Sequence, residues 1–304
     1  MPAFPARTTL ADTYPNPSNA VFRDGIGDFY DATTGLLGTT GNAAEARVAL
    51  GIGPAISFRN RLINGNFSVN QRAYVSGTAT VAANAYTLDR WRVVTSGQSL
   101  AYSPSGAGNA VTAPAGGIEQ VIEGNNIEGG VYTLSWVGAG TASVNGVAIA
   151  NGGQTSSLPA ATNVTVKMVG AVSKVQFELG AAATPFEHRH PGLELLLAHR
   201  YYYRNSSTGQ GLVATGGAYS TTSAAFVIPF PTVMRTAATL TSSNLAPTNG
   251  AGTTLAATGS LINAWATNSA LVQINVASGL TVGQFSLLYA GAGAGGWIAF
   301  DAEL

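Results

Sequence analysis

From about Phe58 onward the chain consists of short apolar segments separated by turn residues, and this pattern constrains the fold more than any other feature. The segments include YTLDRWRVV, GVYTLSWVG, NVTVKMVG and SALVQINVA, all rich in β-branched and aromatic residues. Gly, Asn and Ser stand between them at spacings typical of an antiparallel sandwich or jelly roll. The Asn145-Gly146 pair predicts a tight hairpin. We therefore expect a mainly β protein.

Charged side chains are scarce and unevenly placed. They make up 9% of the 304 residues, where a soluble domain usually carries about 25%. From Asn205 to Phe300 the only one is Arg235. The 46% of hydrophobic residues exclude a disordered low-complexity chain. Two explanations of the missing charge stay open, burial against other copies of the chain and contact with neutral, hydroxyl-rich partners such as sugars.

Several partners and sites are not expected. The zero net charge gives no electrostatic basis for binding nucleic acid or an anionic membrane. No apolar run approaches the ~18 residues of a membrane span, and the first residues contain no apolar signal-peptide region. The absence of cysteine excludes disulfides, thiolate metal sites and cysteine nucleophiles.

The sequence divides into four parts. Residues 1–57 have two short helical patterns, one with Ser18 as N-cap and one, GNAAEARVALG, with the capping box Asn42 and Glu45. Helices this short are marginal alone, so we expect this part to dock on something else. Residues 58–187 and 205–304 then form two β modules, joined by a helical connector.

The connector, residues 188–204, belongs to a stretch that concentrates ionisable groups. QFELGAAATPFEHRHPGLELLLAHRYYYR holds all three histidines of the chain and three consecutive tyrosines. A chemical site and a joint between modules are the two competing interpretations, and we favour the joint. Pro191 begins the helix, with Glu194 and Arg200 expected at exposed or edge positions. At the following helix-to-strand junction, alternate tyrosines of Tyr201–Tyr203 are expected to bury their rings.

The order of several motifs resembles that of fibre proteins of tailed bacteriophages. These motifs are RNRLINGNFSVNQR, YTLDRW, VQFELGAAATPFEHR and LELLLAHRYYYR. The closing FDAEL, with PFPTVMRTAATL before it, is similar to the C-terminal domain that often follows. TYPNPSNAVFRDGIGDFYDATTGLLG resembles N-terminal segments that attach such fibres to the particle.

The resemblance implies a homotrimeric fibre located in the virion. Its parts would be a short helical anchor that binds other virion proteins, a central jelly roll, a helical connector and a C-terminal β-sandwich head. The implied function is attachment to the host surface, often to polysaccharide, without enzymatic activity. Two alternatives stay open, a purely structural particle component such as a head fibre, collar or baseplate protein, and a polysaccharide depolymerase.

A depolymerase of the glycosidase type needs two carboxylates across a cleft. Glu119, Glu123 and Glu128 are close in sequence, in IEQVIEGNNIEGG. Glu119 and Glu123, however, alternate like exposed positions of a strand, and Glu128 lies in a predicted turn. The sequence therefore favours binding over cleavage.

Sugar binding requires aromatic rings for the C–H faces of the sugar, surrounded by amides and hydroxyls. Several aromatic residues of the last module have such neighbours, although each can equally be a core residue. These candidates are Trp265 with Asn263 and Asn268, Tyr219, and Tyr289 with Trp297. We assign Trp91 and Trp136 to the core of the first β module.

No cofactor is expected, but two metals are alternatives. His188 and His190 form an HxH pattern, used by some fibres of this kind, and three copies around an axis would supply six nitrogen ligands to a transition metal. The competing interpretation places both side chains in a solvated or hydrogen-bonded loop beside Pro191. His199 is expected on the helix. Some similar jelly rolls bind calcium, but this sequence has no cluster of aspartates near Asn66 that would supply the ligands.

Overall fold

The computed structural model describes residues 58–207, 209, 211–290 and 295–304. The helices expected within residues 1–57 lie outside this part. The described chain is mainly β, as expected, with eighteen strands and one α-helix.

The first module is a network of antiparallel strands around β4 and β9. Its strands are β1 Ala85–Tyr86, β2 Arg92–Val93, β3 Ala101–Ser105, β4 Gly108–Ile122, β5 Tyr132–Val137, β6 Thr141–Val144, β7 Val147–Ile149, β8 Gly153–Gln154 and β9 Val164–Leu179. A 3-10 turn, Gly124–Asn126, follows β4. The path runs β1-β2-β4-β9-β5-β8, with β3 paired to β4 and the β6–β7 hairpin to β9. The first part of β9 pairs with β4 and β6, and its second part pairs with β5.

The core of this module contains both tryptophans assigned to it. Trp91 and Trp136 are buried, which confirms the prediction. The Trp91 ring packs on Phe67 with centroids 5.1 Å apart, and Tyr132 stacks on Phe177 at 4.9 Å. Large aromatic side chains of this kind supply much of the apolar area that a core buries.

The Asn64-Gly65 pair in the opening motif fixes the entry of the chain into this core. Asn64 is fully buried with φ 58°, a left-handed conformation that Asn tolerates better than most residues. Its side-chain amide donates to the carbonyls of Val69 and Asp89 at 2.9 and 3.0 Å. Its side-chain oxygen accepts from the Val69 N–H at 2.9 Å. Gly65 has no alternative, because a Cβ there would lie 2.3 Å from the carbonyl oxygen of Val175.

One α-helix, α1, spans Pro191–His199 and begins at Pro191, as expected. The side chain of His190 caps its N-terminus by accepting from the Gly192 N–H at 3.2 Å. Glu194 is buried, where it accepts from the Asn64 N–H and pairs with Arg189 at 3.3 Å. The expectation of an exposed or edge position is therefore wrong for Glu194, because its carboxylate satisfies a buried donor of the first module.

The second module has two sheets. Its strands are β10 Tyr202–Ser206, β11 Gly211–Ala218, β12 Ser223–Pro229, β13 Thr239–Ser243, β14 Leu245–Pro247, β15 Ala257–Ala266, β16 Ser269–Val276, β17 Phe285–Ala290 and β18 Trp297–Asp301. One sheet has the order β10-β18-β13 and the other β14-β17-β11-β12-β16-β15. A single residue, Asn244, separates β13 from β14. Because β13 pairs with β18 and β14 with β17, the smaller sheet leads directly into the larger one.

We predict that Asn64→Ala destabilises the protein by at least about 2 kcal/mol, since it leaves the buried N–H of Val69 and the buried carbonyl of Asp89 without partners. Urea unfolding measures the change. Asn84→Ala is the matched control, because Asn84 also has a left-handed φ of 58° but is exposed. Equal losses in the two variants would show that the backbone conformation matters and the buried hydrogen bonds do not.

Candidate functional site: a charged joint and an uncharged sheet face

The charged groups of the chain meet where residues 301–304 contact the first module. Arg72 forms ion pairs with Asp301 at 2.9 Å and with Glu303 at 3.3 Å. Arg90 pairs with the same Glu303, and both side chains of that pair are almost fully buried. One carboxylate of the second module thus pairs with two arginines of the first.

Two tyrosines of the connector cover these arginines. The Arg72 guanidinium lies 3.7 Å from the ring centroid of Tyr202, and that of Arg90 lies 3.5 Å from the ring of Tyr201. Such cation–π contacts are strongest where water is excluded. Tyr201 and Tyr202 are both buried, while Tyr203 is half-buried. The expected alternation is therefore wrong, because a guanidinium occupies the space where a second hydroxyl would meet water.

Arg235, the only charged side chain between residues 205 and 300, also belongs to the joint. It donates to the carbonyl of Ala302 at 2.7 Å and to that of Glu303 at 2.6 Å. The carbonyl of Leu304 accepts from the Tyr86 hydroxyl and from Arg92, both at 2.7 Å. The backbone of the last residues is therefore held from both modules.

Arg200 makes the second ionic contact between the connector and the first module. It pairs with Glu123 at 3.1 Å, and its side chain is about a third exposed, in agreement with an edge position. These contacts favour the joint over a chemical site as the reason for the concentrated charge.

Burial at the joint changes the acidity of its groups. Desolvation by burial raises the pKa of Asp89 from an ordinary value near 3.8 to about 6, although Gln71 donates two hydrogen bonds to the carboxylate. Burial alone would lower the pKa of Arg72, but the charges of Asp301 and Glu303 outweigh it and the pKa is raised. Arg72 therefore stays charged in the joint.

The histidines do not form a metal site within one chain. His188 is exposed, with its ring edge-on to Phe186 at 5.0 Å, and His190 is the helix cap. His199 packs edge-on against Tyr203 at 5.3 Å, and burial lowers its pKa. Within the described part of the chain, no group of three or more His, Asp or Glu side chains is arranged to hold a metal ion. A site built from three chains stays a prediction.

The three candidate carboxylates each have an arginine partner. Glu119 pairs with Arg92 at 2.5 Å, Glu123 with Arg200, and Glu128 with Arg61 at 2.7 Å. Glu123 is buried and Glu119 is largely so. The predicted exposure is therefore wrong for these two residues, because each carboxylate is turned towards an arginine instead of water.

The sugar-binding candidates do not come together. Trp265 lies on the inner side of β15, because it pairs with the buried Ala270 and packs on Phe230 with ring centroids 5.2 Å apart. Asn263 is exposed at an irregularity of the same strand, and Asn268 is exposed in the next turn, where its carbonyl accepts from Phe230. Trp265 is thus a partly buried core residue, and the choice of Trp265 as the leading sugar-binding candidate is not supported.

The other candidates lie in two different places. Trp297 is half-buried, with the Arg204 guanidinium 4.7 Å from its ring centroid. Tyr289, half-buried, lies opposite Leu212 on the outer side of β17. Tyr219 is 48% exposed just after β11, where its N–H donates to the carbonyl of Ser223. Of the six candidates, Tyr219 is the most exposed aromatic residue.

The six-stranded sheet has an outer face that sequence reasoning missed. On β12 the inner residues Phe226 and Ile228 are buried, whereas the outer residue Val227 is 58% exposed. Leu271 lies opposite Val227 on β16, on the same face. Residues 211–290 contain no charge except that of Arg235, so this outer face is uncharged throughout. The signal in the sequence that could have indicated this outer face is the presence of apolar residues on both faces of β12.

The chain matches no protein-family model, and a search of the curated proteins finds no match either. Among the described residues, no helix combines the length and the apolar character that crossing a membrane requires.

We predict that Glu303→Ala destabilises the protein by about 3 to 5 kcal/mol, because it leaves the buried Arg90 without a carboxylate and removes one of the two carboxylate partners of Arg72. Thermal and urea unfolding measure the loss. Glu128→Ala is the matched control: Glu128 pairs with Arg61 but is 59% exposed, so its loss is expected to cost under about 1 kcal/mol. Similar losses in both variants would contradict a special role for the joint.

The raised pKa of Asp89 predicts a dependence of stability on pH. Because the folded state binds this proton more tightly than the unfolded state, the contribution is greatest at low pH and is lost as pH rises from about 4 through about 6. Over this range the unfolding free energy of the natural chain should fall relative to Asp89→Asn by about 2 to 3 kcal/mol. Urea unfolding at several pH values measures the difference, which cancels the opposite effect of His199. A constant difference would contradict the raised pKa.

Proposed function

We propose that the chain is a virion fibre protein of a tailed bacteriophage and that it attaches the particle to polysaccharide on the host surface. Residues 1–57 bind other virion proteins, residues 58–187 form a jelly-roll spacer, and residues 205–304 form the receptor-binding head. The family and the function come from the order of the sequence motifs. The geometry supports them by one observation, the neutral surface of the head.

That surface is neutral because the head uses its charges at the joint. Arg235 is engaged with the backbone of Ala302 and Glu303, while Asp301 and Glu303 face Arg72. What the head presents elsewhere is hydroxyl, amide and apolar groups. Such a surface is suited to a neutral polymer of hydroxyl-bearing rings, because neither partner must give up the hydration of a charge.

We propose that the fibre is a homotrimer and that copies meet through the apolar part of the outer face. This part, the apolar half, consists of Leu212, Val227, Leu271 and Leu287. Leu212 and Val227 are exposed in one chain, and the other two are partly exposed. Contiguous exposed apolar side chains of this kind mark interaction sites. A second copy supplies an equally uncharged surface without requiring any charge to be buried.

The test is a light-scattering mass for the purified full chain, followed by incubation of the same sample with host surface polysaccharide. We expect three times the 30.8 kDa of one chain, with binding and no shortening of the polymer. Val227→Lys should lower the mass, because a lysine in the contact would lose its water. Val147→Lys, at an exposed position of the β6–β7 hairpin, should leave it unchanged.

Each other outcome has a definite meaning. A monomeric natural chain would remove the homotrimer. A trimer that binds no host polysaccharide would favour a structural particle component. Shortening of the polymer would favour a depolymerase, in spite of the arginine partners of Glu119, Glu123 and Glu128.

A further inference from the structure

Beyond the apolar half, the outer face carries two rows of residues with a different character. The first row crosses all five strands from β17 to β15, because each member lies directly opposite the next in the strand register. Directly opposite residues of antiparallel strands share one face of the sheet. The first row is Phe285, Gly217, Ala225, Gln273 and Leu261.

The second row lies two residues further along the strands, on the side away from the apolar half. Its members on β12, β16 and β15 are again in register, and Tyr219 continues β11 beside them. The second row is Tyr219, Ser223, Asn275 and Gly259. With strands about 4.8 Å apart, the first row extends over about 19 Å, enough for a short oligosaccharide.

Two aromatic rings stand at one end of the rows. Phe285 is 62% exposed and Tyr219 is 48% exposed. Phe285 lies opposite Gly217, which has no side chain to cover it. The two residues are diagonal neighbours across β17 and β11, within reach of one another. Their ring faces are therefore open to a ligand that lies along the sheet.

Two amides stand at the other end. The side-chain oxygen of Asn275 accepts from Ser223 at 2.9 Å and from the Gln273 amide at 2.6 Å. These bonds fix both amide groups in position. The Asn275 amide nitrogen and the Gln273 side-chain oxygen have no protein partner among the described residues. One oriented donor and one oriented acceptor thus face outward, a pattern that suits the hydroxyls of a sugar.

Only small residues, Gly217 and Ala225, lie between the rings and the amides. Gly217 lies next to Phe285, Ala225 separates it from Gln273, and a Cβ at Gly217 would meet nothing closer than the Gln284 carbonyl at 3.4 Å. A Cβ added at the neighbouring Gly216 would point to the inner face and lie 1.9 Å from the Ala225 carbonyl. Packing therefore requires glycine at 216 but leaves room at 217. A glycine in a strand with space above it allows a ligand to approach the backbone closely.

We propose that these two rows bind a neutral carbohydrate. Phe285 and Tyr219 take the apolar faces of its rings, and Gln273 and Asn275 bind its hydroxyls. The site rests on the proposed function and locates it on the head. Its position also fits the joint, since the first module contacts Tyr202 and Asp301, at the ends of β10 and β18 that lie furthest from β11 and β17. A second copy is expected on the apolar half and not on the two rows. An apolar surface over the rows would leave the free donor of Asn275 and the free acceptor of Gln273 without partners.

The experiment uses the full chain and an array of immobilised bacterial surface polysaccharides, some neutral and some carrying carboxylate or phosphate groups. We expect binding to one or more of the neutral polymers. Phe285→Ala and Asn275→Ala should each weaken it by at least about tenfold. Gly217→Leu should abolish the binding, because the new side chain would fill the space above residue 217 that the ligand needs. Val147→Ala is the control and should bind like the natural chain.

Thermal unfolding and light scattering separate binding from folding and assembly. All four variants should keep the mass of the natural chain. Phe285→Ala, Gly217→Leu and Val147→Ala should also unfold near its temperature, because Phe285 and Val147 are exposed and a Cβ at Gly217 meets no close atom. Asn275→Ala should unfold at a slightly lower temperature, because it loses the hydrogen bonds from Ser223 and Gln273. If Phe285→Ala, Asn275→Ala and Gly217→Leu all bind the polysaccharide as tightly as the natural chain does, this site is overturned and the proposed function still stands. A lower mass for Phe285→Ala would also overturn it, by showing that these rows contact another copy. Binding only to charged polymers, or no binding by the natural chain, would overturn the site and the neutral-polysaccharide function together.

Discussion

The structure depends on one buried carboxylate, that of Glu303, held between Arg72 and Arg90. Without it Arg90 would lose its carboxylate partner, and Arg72 would keep only Asp301. A buried charge without a partner is strongly destabilising. The cation–π contacts of Tyr201 and Tyr202, the placement of Arg235 and the hydrogen bonds to the last carbonyls all surround this group. The relative orientation of the two β modules follows from these directional contacts and not from apolar packing alone.

This arrangement separates charge from the surface that is free to bind. The second module turns its ionic groups towards the first, and it presents neutral groups elsewhere. A protein that bound a charged partner would need the opposite distribution, with cations or anions on its free surface. The scarcity of charge in the sequence and the concentration of charge in the connector therefore have one explanation. The ionic groups of the second module and of the connector lie where the two modules meet.

Much of the fold could be predicted from the sequence, and the errors have physical causes. The apolar pattern of SALVQINVA identified β16, and the burial of Trp91 and Trp136 followed from the same kind of pattern around them. The strands β11 and β15 have no such clear pattern, because GLVATGGA and ATGSLINAWA are rich in Gly, Ala and Thr. On β11 the small residues Ala214, Gly216 and Ala218 lie on the inner face, where the packing leaves little room for larger side chains.

The candidate site was harder to predict, because it depends on strand register. Trp265 has polar sequence neighbours, yet its side of β15 is the core side. Phe285, Gln273 and Asn275 come from β17 and β16, and only the pairing of those strands with β11 and β12 brings them onto one face. Glu194 was misplaced for a similar reason, since its partner Asn64 lies 130 residues away.

The place of β18 in the smaller sheet also sets an order of events during synthesis. β18 comes after β10 and β13 in the chain but lies between them in the sheet. The smaller sheet cannot form until β18 has left the ribosome, and Glu303 follows two residues later. The strands of the first module can pair before that, whereas its Arg72 and Arg90 wait for a carboxylate that is made much later. Closure of the joint therefore follows folding of the first module, and a chain that stops before β18 lacks the contacts that orient the two modules.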